Sequence, residues 1–130
     1  MTVFDFDGVI DFADGLPGFE ACRRFVLLAA GPSEPLAILR GLGPDAPSFL
    51  VTDPAKVTGE FHADLSDQDL ARLGADTPDG LLWLTIISAQ PDGSLTANLR
   101  APVVVNAAAR RGIQLIPADS AYAFDHPLSA

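Results

Sequence analysis

Cysteine and lysine are almost missing from this chain. Cys22 is the only cysteine among 130 residues, and Lys56 is the only lysine. A single cysteine excludes an internal disulfide and suits a reducing compartment, so the cytoplasm is the expected location. Cations are scarce as well, with 8 Lys plus Arg against 17 Asp plus Glu, a formal charge of −9. Direct nucleic-acid binding requires cations that displace phosphate counterions, and this field has the opposite sign. Long apolar runs are also lacking. The longest, Leu81 to Ile87, already contains Thr85 and is far shorter than the ~20 residues of a membrane span. Met1 to Asp7 holds no basic residue, so no secretory leader is expected.

Assembled catalytic signatures are missing too. Val3-Phe4-Asp5-Phe6-Asp7-Gly8-Val9 is similar to the first motif of the haloacid-dehalogenase phosphatases. In those enzymes the first aspartate attacks phosphorus, the second moves a proton and magnesium offsets phosphate charge. That reading would give Asp5 and Asp7 catalytic roles. However, Asp14-Gly15-Leu16-Pro17-Gly18 intervenes where a helix should follow, and Lys56 is followed by no acidic pair suited to magnesium. An alternating strand that exposes Asp5 and Asp7 is the simpler expectation. Gly41-Leu42-Gly43 lacks the third glycine of a dinucleotide loop. His62 and His126 lie too far apart for zinc-ligand spacing, and Asp5, Asp7 and Asp11 do not have calcium-loop spacing. No serine sits in a nucleophile elbow. No cofactor, metal or catalytic residue is expected.

What the chain does have is hydrophobic residues, 48% of the total. One domain spanning residues 1–130 is expected, and a chain of this length buries roughly two-thirds of its unfolded surface. Strand-like runs recur at Val3 to Phe6, Arg24 to Leu28, Leu36 to Leu39, Phe49 to Thr52, Thr58 to Asp64, Leu81 to Ser88, Leu95 to Asn106 and Ile113 to Ile116. Turn residues separate them at Gly15 to Gly18, Gly31 to Pro35, Gly41 to Pro47 and Asp76 to Gly80, and Asp92-Gly93 is the strongest hairpin signal. One short helix is expected, with Ser66 as N-cap, Asp69 as its capping-box partner, Leu70 and Leu73 on one face, and Gly74 as C-cap. Its simplest role is a plug at a barrel end. These features define a mostly β fold, a small barrel-like domain with one short helix.

The most informative stretch is Thr96-Ala97-Asn98-Leu99-Arg100-Ala101-Pro102-Val103-Val104-Val105-Asn106, followed by Ala107-Ala108-Ala109-Arg110-Arg111-Gly112. Proline cannot donate to a β-ladder, so the bland reading is an edge strand. Alternation puts Asn98, Arg100 and Pro102 outward and Leu99, Ala101 and Val103 inward. Asn106 can turn either way, because a bulge at Pro102 would shift the phase. Arg100, Arg110 and Arg111 either pair with surplus carboxylates or belong to an interface.

This stretch resembles the C-terminal signature of the flagellar assembly factor FliW family. Asp14-Gly15-Leu16-Pro17-Gly18-Phe19-Glu20 is similar to that family's N-terminal loop, with Asp14 replacing the usual glutamate. Arg24-Phe25-Val26-Leu27-Leu28, Phe49-Leu50-Val51-Thr52-Asp53-Pro54, Leu65-Ser66-Asp67-Gln68-Asp69-Leu70 and His126-Pro127-Leu128 match in the same order. The resemblance covers about Phe12 to Leu128. Ala107-Ala108-Ala109 departs from it, because relatives usually carry polar residues there.

The resemblance implies a regulator that binds proteins. Its partners would be the translational regulator CsrA, whose repression of flagellin synthesis it relieves, and flagellin, which sequesters it. The acidic balance agrees in kind, because an RNA-binding partner presents basic surface. Candidate contacts are Asn98, Arg100, Pro102, Asn106, Arg110 and Arg111, with the carboxylates Asp53, Asp64, Asp67 and Asp69. An acidic scaffold for an unrelated basic protein is the other reading from a binding class.

Overall fold

The computed structural model describes residues 8–29, 36–59, 61–117 and 120–128. The expected strand at Val3 to Phe6, with Asp5 and Asp7, lies outside them, as does the whole Gly31 to Pro35 turn. In chain order the elements are β1 (Ile10–Asp11), β2 (Arg24–Ala29), β3 (Leu36–Gly41), β4 (Ser48–Thr52), α1 (Pro54–Thr58), α2 (Asp67–Leu73), β5 (Leu82–Ala89), β6 (Leu95–Ala97), β7 (Val103–Asn106), β8 (Arg111–Gln114) and β9 (His126–Pro127).

The strands run in the order β4-β3-β2-β1-β8-β7-β5-β6-β9, and β4 also pairs with β5. That last pairing closes seven strands into a barrel, which removes the free edges an open sheet would leave. β5 achieves this by using both edges. One edge holds β4 through Leu50↔Ile87, Val51↔Ile86 and Thr52↔Thr85. The other is shared, with β7 on Leu82–Leu84 and β6 on Ile87–Ala89. The single strand expected over Leu95 to Asn106 is therefore two. The chain leaves β5 at Ala97 and rejoins it at Val103 after an irregular crossing.

Val103 to Val105 does not form an edge strand. β7 lies between β5 and β8, with Val104 opposite both Trp83 and Ile113. Three consecutive fully buried valines are what a strand covered on both faces needs. Val103 and Val105 point into the barrel with Phe12, Phe25, Leu39, Val51 and Leu84. Val104 points outward and packs with Leu73, Ile113 and Leu115. Pro102 precedes the strand, so its missing N–H breaks no ladder bond, and its carbonyl accepts from Leu115 N at 2.9 Å.

The second apolar cluster is where α2 sits, so the helix covers the outside of the barrel over β7 and β8 and is not a plug at its end. Its termini follow the sequence. Ser66 Oγ accepts from Asp69 N while Asp69 Oδ2 accepts from Ser66 N, both at 3.0 Å. Gly74 ends the helix in the left-handed conformation at φ 68°. Seven residues cannot hold a helix in water, so α2 depends on docking. Full burial of Leu73 contributes about 1.5–3 kcal/mol towards that.

A second helix was not expected. The run Thr58 to Asp64 reads as a strand in the sequence, but Thr58 ends α1 and residues 61–66 have no regular structure. Asp53 and Pro54 explain it: Asp53 Oδ1 accepts from Ala55 N at 2.9 Å, and Pro54 occupies the first turn, where it costs no hydrogen bond. Two very short strands, β1 and β9, were also not anticipated. β1 runs parallel to β8 through Asp11↔Arg111. The doubly wound parallel sheet that the phosphatase reading requires is not this architecture.

Candidate protein-binding surface

The candidate residues fall on three stretches around the barrel. The first is the crossing from β6 to β7. Asn98 sits half-buried there instead of facing outward, because its backbone groups and its side-chain oxygen all have partners. Its N–H donates to Ile86 O at 2.9 Å, its carbonyl accepts from Thr85 Oγ1 at 2.9 Å, and its side-chain Oδ1 accepts from Ala101 N at 3.1 Å. Pro102 is buried, whereas Arg100 is exposed. Among the described residues no carboxylate comes within ion-pair distance of Arg100.

The second stretch is the turn between β7 and β8. Asn106 turns inward towards α2, where its Nδ2 donates to Leu73 O at 2.9 Å. Ala107, Ala108 and Ala109 are exposed on the turn itself. Arg110 has a left-handed backbone, φ 57°, and its carbonyl accepts from Asp11 N at 2.8 Å. A Cβ placed on Gly8 would lie 2.7 Å from Arg110 Nη1, so the guanidinium covers the backbone of Gly8. Arg111 lies beside Gly74, less tightly, where a Cβ would be 3.2 Å from its Nη1. A cation there also complements the C-terminal end of the helix dipole.

The third stretch carries the acidic candidates. Asp64 and Asp69 line a cleft of about 330 Å³ together with Arg72, Gln114 and Ile116. Gln114 Nε2 donates to Ala101 O at 3.0 Å, which links this cleft to the β6–β7 crossing. Arg72 Nη2 also meets Asp14 Oδ2 at 2.5 Å. Asp67 is exposed on the first turn of α2, and Asp69 is divided between its capping bond and a 3.8 Å approach to Arg72 Nη1. The structure thus brings the ends of α2 together with the acidic group and the Asn106–Arg111 turn, and among the described residues it gives Arg100 no carboxylate partner on the crossing.

The N-terminal loop is built on close approach. Gly15 has φ 64°, and a Cβ there would lie 2.6 Å from Glu20 Cα, so the second position of Asp14-Gly15-Leu16-Pro17-Gly18-Phe19-Glu20 must be glycine. Gly18 N donates to Glu20 Oε2 at 3.0 Å, which holds that carboxyl below its ordinary 4.5. Phe19 is 45% exposed and meets Phe49 edge-on at 5.4 Å.

One feature was missed in the sequence. Phe61, Trp83 and Tyr122 come together beside α1, and a cavity of about 430 Å³ opens there. Its lining includes Asp53, Phe61, His62, Asp64 and Trp83. The aromatic residues stand far apart in the chain, so only their rarity could have drawn attention: Trp83 and Tyr122 are the sole residues of their types. Among the described residues, no three His, Cys, Asp or Glu side chains group as a metal ion would need. No helix among them is long and apolar enough to cross a membrane.

The architecture places this chain in the class of small closed β-barrels that carry a short helix docked on the outer wall. The profile of the FliW protein family matches residues 2–128, and the chain belongs to that family of flagellar assembly factors. It is 32% identical over 127 residues to the flagellar assembly factor FliW of Syntrophotalea carbinolica, covering 98% of this chain and 91% of that protein. It is 36% identical over 117 residues to its counterpart from Azoarcus sp. strain BH72, covering 85% and 80%. A solved crystal structure of the flagellar assembly factor FliW superposes with a TM-score of 0.82 at 31% identity, covering 92% of this chain and 84% of that one.

Proposed function

We propose that this chain acts as a partner switch in flagellin synthesis. It binds the RNA-binding regulator CsrA and relieves repression, and newly made flagellin competes for it. The observation that carries this reading is membership of the FliW family over residues 2–128. The formal charge of −9 supports a basic partner, because complementary fields speed encounter and disfavour wrong partners. The action is in the cytoplasm, where both partners are made, and it needs no cofactor.

The test is a pull-down with purified CsrA and flagellin, followed by competition between them and by association rates at two salt concentrations. Binding to both partners is expected, with association slowing as salt shortens the screening length to about 8 Å at physiological strength. Retention of neither partner overturns the proposal. An association rate with CsrA that salt leaves unchanged removes the acidic docking face from it.

A further inference from the structure

The cavity beside α1 combines fixed aromatic faces with carboxylates. Phe61 stacks on Tyr122 with centroids 4.9 Å apart and planes at 28°, and it lies 6.0 Å from Trp83 at 60°. The Tyr122 hydroxyl accepts from His62 N at 2.9 Å, which ties the backbone next to Phe61 to the same stack. Three separate parts of the chain therefore hold these rings in place before any ligand arrives. Asp53 and Asp64 belong to the lining, and the described lining contains no lysine or arginine. Asp53 is anchored as the N-cap of α1. Asp64 Oδ1 lies 3.0 Å from His62 Nε2, and the Asp64 side chain is 93% exposed, so solvent and partners reach it.

This chemistry selects one kind of guest. Aromatic faces carry negative quadrupole density and attract cations, Trp most strongly. Carboxylates at the rim repel anions, and an apolar guest would leave them without compensation. Between the two cationic side chains, a guanidinium is planar and weakly hydrated, and it can stack on a ring while it donates to a carboxylate. A cavity of about 430 Å³ falls within the roughly 300–1,000 Å³ of ligand pockets, so there is room for a side chain with its flanking backbone. We propose that this cavity seats an arginine side chain presented by a basic protein segment. The inference rests on the reading above only for the identity of the protein that presents the arginine.

Trp83 is the only tryptophan and lines this cavity, so its emission reports on binding there. The experiment titrates the full chain with a capped hexapeptide that carries two adjacent arginines. A twin peptide has citrulline in their place, which keeps the shape and removes the charge. A saturable change in Trp83 emission is expected with the arginine peptide, and binding about tenfold weaker with the citrulline twin. Asp64→Asn should weaken the arginine peptide severalfold. So should Asp53→Asn, which keeps the helix cap because Asn caps as well as Asp. Phe61→Leu, checked for an unchanged fold by circular dichroism, should do the same.

No saturable change up to about 10 mM peptide, equal binding of the citrulline twin, or unaltered binding by both carboxylate variants overturns the proposal. The two readings fail separately. Peptide binding without retention of CsrA removes that partner and leaves the site, whereas CsrA retention that is indifferent to Phe61→Leu and Asp64→Asn places CsrA elsewhere.

Discussion

Asn106 Nδ2 donates to the carbonyl oxygen of Leu73 at 2.9 Å, and Asn106 Oδ1 accepts from Ala109 N at 3.4 Å. One side chain thus joins the last turn of α2 to the β7–β8 turn. Helix ends leave carbonyls without partners, and this bond satisfies one of them. Asn106→Ala should destabilise the fold by about 1–3 kcal/mol, the cost of leaving a shielded polar group unpaired. A thermal melt should show a drop of several degrees, because each kcal/mol moves Tm by roughly 2–8 °C in domains of this size range. An unchanged Tm would remove Asn106 from the framework and leave it to the interface alone.

Gly112 of β8 packs directly against the ring of Phe12. A Cβ at Gly112 would lie 2.7 Å from Phe12 Cε2 and 2.8 Å from Cε1, and Phe12 is fully buried. Gly112→Ala should cost about 1–3 kcal/mol through overpacking. Phe12→Leu alone should also destabilise, through lost volume. The double variant should be less destabilised than the sum of the two, because the smaller side chain yields the space the methyl needs. Strict additivity in denaturant unfolding would contradict this packing.

Local chemistry was the part of the fold legible in the sequence. Ser66, Asp69 and Gly74 mark both ends of α2 because capping is decided within one turn of chain. Asp92-Gly93 marks the β5–β6 hairpin for the same reason. What could not be read depends on distant partners. Val103 to Val105 became a central strand only because β5 offers it half an edge. The crossing from Asn98 to Pro102 exists because β6 occupies the other half. At α1, Asp53 and Pro54 cap the helix by local chemistry, yet no helix is expected there from the sequence, and the strand-like run that begins at Thr58 overlaps its last residue. The acidic candidates were legible as charge, whereas the cavity lined by Phe61 and Trp83, with Tyr122 stacked on Phe61, brings together residues that only the closed barrel makes neighbours.

The β5–β6 hairpin should respond to acid. Asp92 Oδ1 accepts from Ser94 Oγ at 2.6 Å and from Ser94 N at 2.9 Å. The Ser94 hydroxyl first, and its backbone N–H second, hold this carboxyl below its ordinary 3.8. A carboxyl whose folded value is depressed stabilises the turn above the unfolded value, and that contribution is lost as pH falls through the folded one. The Ser94 amide resonance should therefore titrate with a midpoint under 3.8, and Asp92→Asn should abolish the transition. A midpoint at or above that value would show that the bonds do not persist in solution.

Asn98 and Arg100 should separate in their effects, although they stand two residues apart. Asn98 accepts from Ala101 N through Oδ1 and shapes the crossing. Asn98→Ala should lower stability by about 1 kcal/mol or more, as loss of a half-buried bond does. Any loss of partner binding by that variant would come mixed with a misplaced loop. Arg100 is exposed, without a carboxylate partner among the described residues. Arg100→Ala should leave stability within about 0.5 kcal/mol. Exposed and without a carboxylate partner among the described residues, Arg100 holds no local contact of the fold through an ion pair there, so the role expected of it is contact with a partner. Arg100→Ala should weaken retention of CsrA or of flagellin at unchanged Tm, and Arg100→Lys should restore only part of it, because an ammonium cannot reproduce the planar fork of donors. Melting curves and binding isotherms measured on the same preparations decide the matter. Undiminished affinity for both partners would remove Arg100 from the interface.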